Sequence, residues 1–491
     1  MNAFSRRGAC PALSAPMRTG DGLLVRLNPV AGGLSPKQLI GLAESALQHG
    51  NGIMEVTARG SLQIRGLASK SAPLLAAEVD ALGITVRTGV PIETGALAGL
   101  DPREILDPRP LAEQIRAAVE EAGLTLRLGP KVSVVVDGGG QLTLDAVTAD
   151  VRLAATRTDA GSQWWQVSVA GDGHNAKPLV LADESAARDI TVAALRMIAE
   201  KGREAHARDL SERQLSSLAG WHSLAPPSVL PDISPSSGEI GSFTAGSPLT
   251  ALITGERSPP SAIPPLEGEM SGRTEGGAVE HSRRPIGFFN VSHAIALGIG
   301  LPYGSMQAGK IIDLVQSALT LGATEIRLAP GRALLFLGQP AAACAALQQT
   351  AATLGFVINP TDPRTMIAAC PGAPACASGQ IATREIAETI ALENRDILDS
   401  SFTLHISGCA KGCAHPGPAT LTIVGGENGA GLVVNATAKA LPAGYRPRYD
   451  AARGIGRVAA AIRSARHPGE TAAACLTRLG AVGVAEAYRQ E

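Results

Sequence analysis

Four cysteines in the C-terminal third carry the sharpest chemical signal in this 491-residue chain. Cys370 and Cys376 form a C-x5-C pair, and Cys409 and Cys413 a C-x3-C pair. The first pair brackets Pro371-Gly372-Ala373-Pro374-Ala375 and the second brackets Ala410-Lys411-Gly412. Both are short loops containing Gly or Pro, able to turn sharply around an inorganic centre. Zinc knuckles usually hold their cysteines two to four residues apart on both sides, and the first pair exceeds that spacing. Four thiolates on two such loops suit a [4Fe–4S] cluster, with a structural zinc ion as the alternative. A helix is expected from near Ser378, with its N-terminal dipole favouring an anionic cluster. The second pair follows a strand, Phe402 to Ser407. Cys10, Cys344 and Cys475 have no close partner, and the last two lie in Ala-rich helical text and read as small buried side chains.

The elements that must position these loops come in two copies. The text from Leu39 to Gly66 and that from Ile311 to Gly338 align without a gap at an offset of 272 positions. Ser45-Ala46-Leu47 matches Ser317-Ala318-Leu319, Gly50 matches Gly322, and Leu62 matches Leu334. Each copy reads strand, helix, strand, turn, strand, the mark of a duplication rather than a solenoid. Ile40, Leu42, Ala43, Ala46 and Leu47 fall at helical spacing, with Gly50 as the C-cap. The following segments alternate around Arg59-Gly60 as a hairpin. Strand-like runs ending in proline precede both helices, Gly22 to Pro29 and Ala294 to Pro302, alike in shape though not at the same offset. On one hairpin face stand Arg59, Gln63 and Arg65, whereas the matching positions of the second copy are Gly331, Leu335 and Leu337. One copy thus offers a cationic face and the other an apolar one.

Hydrophobic residues make up 45% of the chain, enough for several cores, and the length suggests about three domains. The formal net charge of −1 gives no global attraction to nucleic acid or to a membrane surface. No apolar run reaches the roughly 18–20 residues of a bilayer span. The opening MNAFSRRGACPALSAP has no following apolar segment, so no secretory signal is expected. Seven cysteines in a chain of this length are not a disulfide framework, and clustered thiols fit the reducing cytoplasm. From 225 to 285 the sequence is rich in Pro, Ser and Gly and reads as a flexible linker. Gly171-Asp172-Gly173 and Gly138-Gly139-Gly140 lack the strand, helix and acidic residue of a nicotinamide fingerprint. Electrons are therefore expected from a separate reductase or ferredoxin, supplied ultimately by NAD(P)H. Lys411, read as exposed in the cysteine loop, is a candidate contact for an acidic donor.

The cysteine spacing, the duplicated halves and the text AGLDPREILDPRP resemble the siroheme sulfite and nitrite reductase superfamily. The opening RRGACPALSAPMRTGDGLLVRLNP and the loop SGCAKGCAHP are most similar to its branch acting in aerobic cobalamin biosynthesis. The resemblance implies an α+β fold, with two ferredoxin-like half-domains and two larger α/β lobes around a central tetrapyrrole pocket. The expected divisions are 1–75 and 286–350 for the half-domains, 76–224 for the first lobe, and 351–491 for the cluster lobe. It also implies that Cys370, Cys376, Cys409 and Cys413 ligate a [4Fe–4S] cluster, with Cys413 nearest the tetrapyrrole. Siroheme or a mononuclear non-haem iron beside the cluster stays open. Arg59, Gln63, Arg65 and Lys131 are the implied contacts to the carboxylates of a tetrapyrrole. The reductases often carry a second lysine two residues after the first, where this chain has Ser133. That departure disfavours the dense cationic patch needed to reduce a small anion. The branch is an O2-dependent monooxygenase, with the alternatives a siroheme sulfite or nitrite reductase and a non-enzymatic electron carrier or tetrapyrrole-binding module. His405 and His415 flank the second cysteine pair and are candidates for an iron ligand or for proton delivery. His405 alternates inward on its strand, the place of a structural histidine hydrogen-bonded to backbone.

Overall fold

A computed structural model describes residues 11–29, 33–159, 161–220, 283–292 and 294–490, with the two-residue strands Ser234–Pro235 and Gly268–Glu269. Cys10 and most of the expected linker at 225–285 lie outside the described residues. The chain divides into two units, one formed by Met1–Thr88 with Arg284–Glu491 and the other by Gly89–Arg283.

The first copy of the repeat contains β1 (Met17–Thr19), β2 (Gly22–Leu27), β3 (Gly33–Leu34), α1 (Pro36–His49), β4 (Ile53–Val56), β5 (Leu62–Leu67) and α2 (Ala72–Ala81). Ser35 starts α1 with a reciprocal cap. Its hydroxyl accepts from the Gln38 N–H at 3.3 Å, and its own N–H donates to the Gln38 side chain at 2.9 Å. The buried stripe of α1 is Leu39, Leu42, Ala43 and Ala46. Leu47, expected on that stripe, is 52% exposed. At 100° per residue it stands about 80° round from Leu39, on the flank of the helix. Gly50 does cap the helix, with extended backbone. β4 and β5 form the expected hairpin, with Glu55 opposite Gln63. The division expected at residue 75 falls inside α2, whose Leu75 and Val79 belong to the same core, so the first unit runs on to Thr88.

The second unit holds β6 (Ile92–Thr94), α3 (Pro108–Glu121), β7 (Val134–Asp137), β8 (Ala149–Arg157), β9 (Gln163–Gly171), β10 (Lys177–Ala182), α4 (Glu184–Lys201) and α5 (Glu212–Ala219). β6, β7 and β8 run parallel, and β8, β9 and β10 form an antiparallel meander. Val134, Val135 and Val136 are fully buried, as expected of a strand covered on both faces. The short strands β11 (Ser234–Pro235) and β12 (Gly268–Glu269) pair with each other. The AGLDPREILDPRP segment folds on itself, with Glu104 accepting from the Gly99 N–H at 2.9 Å. Burial, with Asp107 and Asp101 nearby, pushes the Glu104 carboxyl up to about 7. Such a group favours the folded state when protonated. Its contribution is full below the unfolded value near 4.5 and fades as pH rises through 7. Glu104→Gln is therefore expected to flatten the fall in thermal stability between pH 5 and 7. An unchanged Tm-versus-pH slope would contradict this.

Returning to the first unit, the second copy supplies β13 (Gly287–Val291), β14 (Ala294–Gly300), β15 (Ser305–Gln307), α6 (Ala308–Thr320), β16 (Glu325–Ala329), β17 (Ala333–Leu337) and α7 (Ala341–Thr353). The repeat extends further than the alignment suggested, because β2 and β14 also begin 272 positions apart. The division expected at 350 falls inside α7, where Cys344 and Leu347 are buried in the shared core. The copies exchange strands. β3 pairs with β16, placing Leu34 opposite Ile326, and β15 pairs with β4, placing Met306 opposite Met54. The resulting sheets, β1-β2-β5-β4-β15 and β13-β14-β17-β16-β3, have the same order, and α1 packs on α6 between them. Leu39, Leu42, Leu314 and Val315 join one core drawn from both copies.

The cluster lobe completes this unit with β18 (Ile367–Ala369), α8 (Thr383–Glu393), β19 (Leu404–Ser407), β20 (Ala419–Gly426), β21 (Gly429–Ala436), β22 (Gly444–Arg446), α9 (Ala451–Ala465) and α10 (Ala472–Arg489). Its sheet, β18-β19-β20-β21-β22, repeats the plan of the second unit: three parallel strands, then an antiparallel meander. Cys475 is buried in α10 as expected. The helix after the first cysteine loop begins at Thr383 rather than near Ser378, since Gly379-Gln380-Ile381 is spent on loop hydrogen bonds. Among the described residues no helix is long and apolar enough to cross a membrane.

Candidate functional site

The first cysteine loop is closed by backbone. Cys376 N–H donates to Gly372 O at 2.6 Å, Ala373 N–H to Ile381 O at 2.8 Å, and Gly379 N–H to Cys376 O at 2.8 Å. It joins the second loop where Gln380 N–H donates to Gly408 O at 2.8 Å and Gly408 N–H donates to Cys370 Sγ at 3.2 Å. Two glycines make this approach feasible. Gly372 has φ +63°, and a Cβ there would lie 2.5 Å from Thr383 Oγ1. A Cβ on Gly408 would stand 3.1 Å from the Cα atoms of Gly372 and Gly379. The two loops are thereby laced together at the parallel edge of β18 and β19.

Cys413 feels the other three thiols. Although Cys413 as a residue is exposed, partial desolvation of its sulfur raises the thiol, and Cys370, Cys409 and Cys376 raise it further. Cys370 is buried, Cys376 and Cys409 are half-buried, and Cys413 is exposed. Among the described residues no three His, Cys, Asp or Glu side chains close into a single-ion site. A tetrahedral zinc ion would draw its thiolates to about 3.8 Å from one another. A larger cube tolerates wider spacing, and a backbone N–H aimed at a thiolate sulfur is a familiar way of tuning such a centre. Four cysteine thiols on two laced loops, one of them already accepting a backbone N–H, are a donor set that a [4Fe–4S] cluster fits.

The expected tetrapyrrole contacts are dispersed. Gln63 and Arg65 are buried, not presented to a ligand. Arg65 donates to Asp21 at 3.0 Å, to Glu55 Oε2 at 3.4 Å and to the Ala375 carbonyl, beside Cys376, at 2.7 Å. Burial opposes its charge, but Glu55 and Asp21 outweigh this and raise its pKa. Glu55 also accepts from Arg384, in the first turn of α8. With its amide oriented to satisfy both neighbours, Gln63 donates to Glu55 at 3.0 Å and accepts from Arg26 at 2.7 and 2.9 Å. This network ties the first hairpin to the cluster lobe. Arg59 is exposed at the hairpin tip. Lys131 belongs to the second unit, exposed in the turn before β7, and Ser133 is buried.

A cationic group that the sequence reading missed stands at the other tip. The Gly331 N–H donates to Ala58 O at 2.9 Å, so the two hairpin tips meet. Arg332, next along, donates to the Ala414 carbonyl in the second cysteine loop at 2.9 Å. Burial, with Arg284 and Arg384 in electrostatic reach, pushes Arg332 down to about 10. Arg284 is itself lowered by burial, and its guanidinium meets Thr365 O and Met366 Sδ. Position-by-position alignment of the copies sets Gly331 against Arg59 and passes over this cation by one residue.

Both histidines border the same loop. Their rings are 5.8 Å apart, edge to face. His415 Nε2 lies 2.9 Å from Pro418 O. His405 is fully buried on β19, facing away from the core that takes Leu404 and Ile406. Neither of its ring nitrogens has a hydrogen-bond partner, which corrects the expectation of a backbone-bonded histidine. Burial, then His415 and Arg332, push it down to about 4, so it is neutral near pH 7. Lys411 is exposed as expected and donates to Ser378 at 2.8 Å.

Residues 15–82 match the nitrite/sulfite reductase ferredoxin-like half domain. The chain is 37% identical over 488 residues to a precorrin-3B synthase from Sinorhizobium sp, covering 99% of this chain and 96% of that protein. It is 24% identical to a ferredoxin–nitrite reductase from Synechococcus elongatus, over 82% of this chain and 76% of that one. The NirA protein of Mycobacterium tuberculosis has the same fold, with a TM-score of 0.66 at 17% identity over 94% of this chain and 84% of that one. Strand exchange, two lobes of one plan, paired cysteine loops and near full-length similarity agree: this chain belongs to the precorrin-3B synthase family of the siroheme sulfite and nitrite reductase superfamily.

Proposed function

We propose that the chain uses O2 to hydroxylate the methylated tetrapyrrole precorrin-3A at a meso carbon, with an acetate arm closing as a γ-lactone, in aerobic cobalamin biosynthesis. The observation that carries this reading is similarity to a precorrin-3B synthase along nearly the whole chain, cysteine loops included. One oxygen atom enters the product. The other leaves as water, consuming two electrons and two protons from a separate ferredoxin or reductase. A [4Fe–4S] cluster on Cys370, Cys376, Cys409 and Cys413 would supply one-electron transfer. The chain's own residues hold the macrocycle. Guanidinium forks at Arg59, Arg332 and Arg284 suit acetate and propionate arms. Glu55 and Arg65 fix the Ala375 carbonyl and with it the Cys376 loop. His405 keeps a neutral imidazole at the loop's inner side.

The test is anaerobic protein with its iron and sulfide, given precorrin-3A, a reductant and 18O-labelled O2. One labelled oxygen per product and one O2 consumed per macrocycle are expected. The reading fails if the macrocycle returns unchanged while nitrite or sulfite is reduced, or if purified protein retains the intense red bands of siroheme.

A further inference from the structure

An open groove of about 870 Å³ lies between α8 and α9, and Ala373, Gln380 and Ile381 of the first cysteine loop line it. So do Arg453 and Arg457, exposed one turn apart on α9, and Arg448 and Tyr449 from the turn before that helix. Like charges four residues apart weaken a helix slightly, so the stability of α9 does not explain the pair. Tyr449 is 90% exposed, although an aromatic ring gains most when covered. Tyrosine among arginines is the composition of a binding hot spot. Glu385 and Glu393 also line the groove. Glu385 sits in the first turn of α8, where an acid complements the helix dipole, and Glu393 ends that helix about 12 Å further along. The cationic rim continues toward the second cysteine loop. Arg448 donates to Gly426 O at 3.1 Å. A Cβ on the neighbouring Gly425 would lie 2.5 Å from Gly408 O and 3.1 Å from Gln380 Cβ, so this strand end abuts both cysteine loops. Two residues before Gln380, Ser378 accepts from the exposed Lys411 at 2.8 Å. Four cations thus follow a line of contacts from α9 to a point between Cys409 and Cys413, in a chain whose net charge is −1.

We propose that this face, with Arg448, Arg453, Arg457 and Lys411 as its cationic rim and Tyr449 as its anchor, docks an acidic one-electron carrier protein of the ferredoxin type. It rests on the functional reading above for the need of an outside electron source. Charge complementarity selects the occupant: a band of exposed cations steers an acidic partner and fixes its orientation, while the ring supplies apolar contact. Because the first cysteine loop itself lines the groove, no other element stands between a docked carrier and that loop. Each encounter passes one electron from the reduced carrier to the centre on the cysteine loops and releases the carrier oxidised by one electron. Two encounters supply the two electrons consumed with each O2.

Anaerobic full-length protein carrying its cluster is mixed by stopped flow with a reduced plant-type [2Fe–2S] ferredoxin, and electron transfer is followed by absorbance at about 20 mM and about 500 mM salt. The wild-type rate is expected to fall about tenfold or more at the higher salt. R453Q/R457Q is expected to be about 10- to 100-fold slower at low salt and to lose most of the salt dependence. Y449A is expected to be about 5- to 10-fold slower at either salt. Reduction by dithionite needs no docking and is expected to be unchanged in every variant. Folded variants as fast as wild type overturn the proposal and leave the functional reading standing, as does a wild-type rate indifferent to salt. Where a variant loses iron or its reduction by dithionite, the wild-type chain decides. Carbodiimide cross-linking to the same ferredoxin, read by mass spectrometry, is expected to join ferredoxin carboxylates to Lys411, and adducts confined to other lysines overturn the docking face. A wild-type chain with no reducible cluster sinks the functional reading, and the cross-link then decides the docking face by itself.

Discussion

Cys376→Ser is expected to yield protein with neither cluster iron nor labile sulfide, and with its first unit markedly destabilised. The reason lies in how the loop is built. Cys376 closes onto Gly372 O, and the neighbouring Ala375 carbonyl is the meeting point of Arg65 and the Gly20 N–H. A cluster spanning both loops joins residues about forty positions apart, so its binding free energy is also folding free energy for the lobe. Losing it costs several kcal/mol, on the order of 10 °C in Tm for a body this size. Metal and sulfide analysis beside a melting curve reads both effects. A serine variant with full iron and sulfide would remove Cys376 from the ligand set.

The second large effect is expected at Glu55, a residue that no motif singles out. It is 5% exposed and takes hydrogen bonds from Arg65 and Arg384. Glu55→Gln keeps the shape and removes the charge. Arg65 would retain Asp21, but Arg384, half-buried and with its Nε already lacking a partner, would be left uncompensated. Breaking one side of a buried pair costs about 3–5 kcal/mol. Chemical denaturation followed by far-UV circular dichroism measures this. A loss below about 1 kcal/mol would show the network to be dispensable. Because Arg65 also grips Ala375, the variant should disturb cluster assembly, while Glu104→Gln in the other unit should not.

The duplication was legible because local residue patterns are repeated at a fixed spacing, and each copy formed the expected helix and hairpin. The strand exchange was not. β3 is two residues long and β15 three, and nothing in so short a text says which sheet it joins. The two cysteine loops were legible because closely spaced cysteines among Gly and Pro imply tight turns, and the structure brings those loops together. Arg65 was noticed but its acidic partners were not, since alternation gives the face of a strand and not what covers that face. Asp21 and Glu55, from a turn and a neighbouring strand, cover it. Arg332 escaped because comparison of the copies paired residues by number, whereas the hairpin tips meet in space. His405 was correctly placed inward, but its lack of any partner is a property of the folded surroundings alone.

The traded strands β3 and β15 make the halves topologically interlaced. The sequence looks modular, as if either copy could be excised or transplanted from a relative. Each copy, removed alone, would carry away the edge that seals its twin's sheet and expose a raw row of amides and carbonyls. A cut between the copies therefore breaks both sheets, whatever the apparent boundaries in the text.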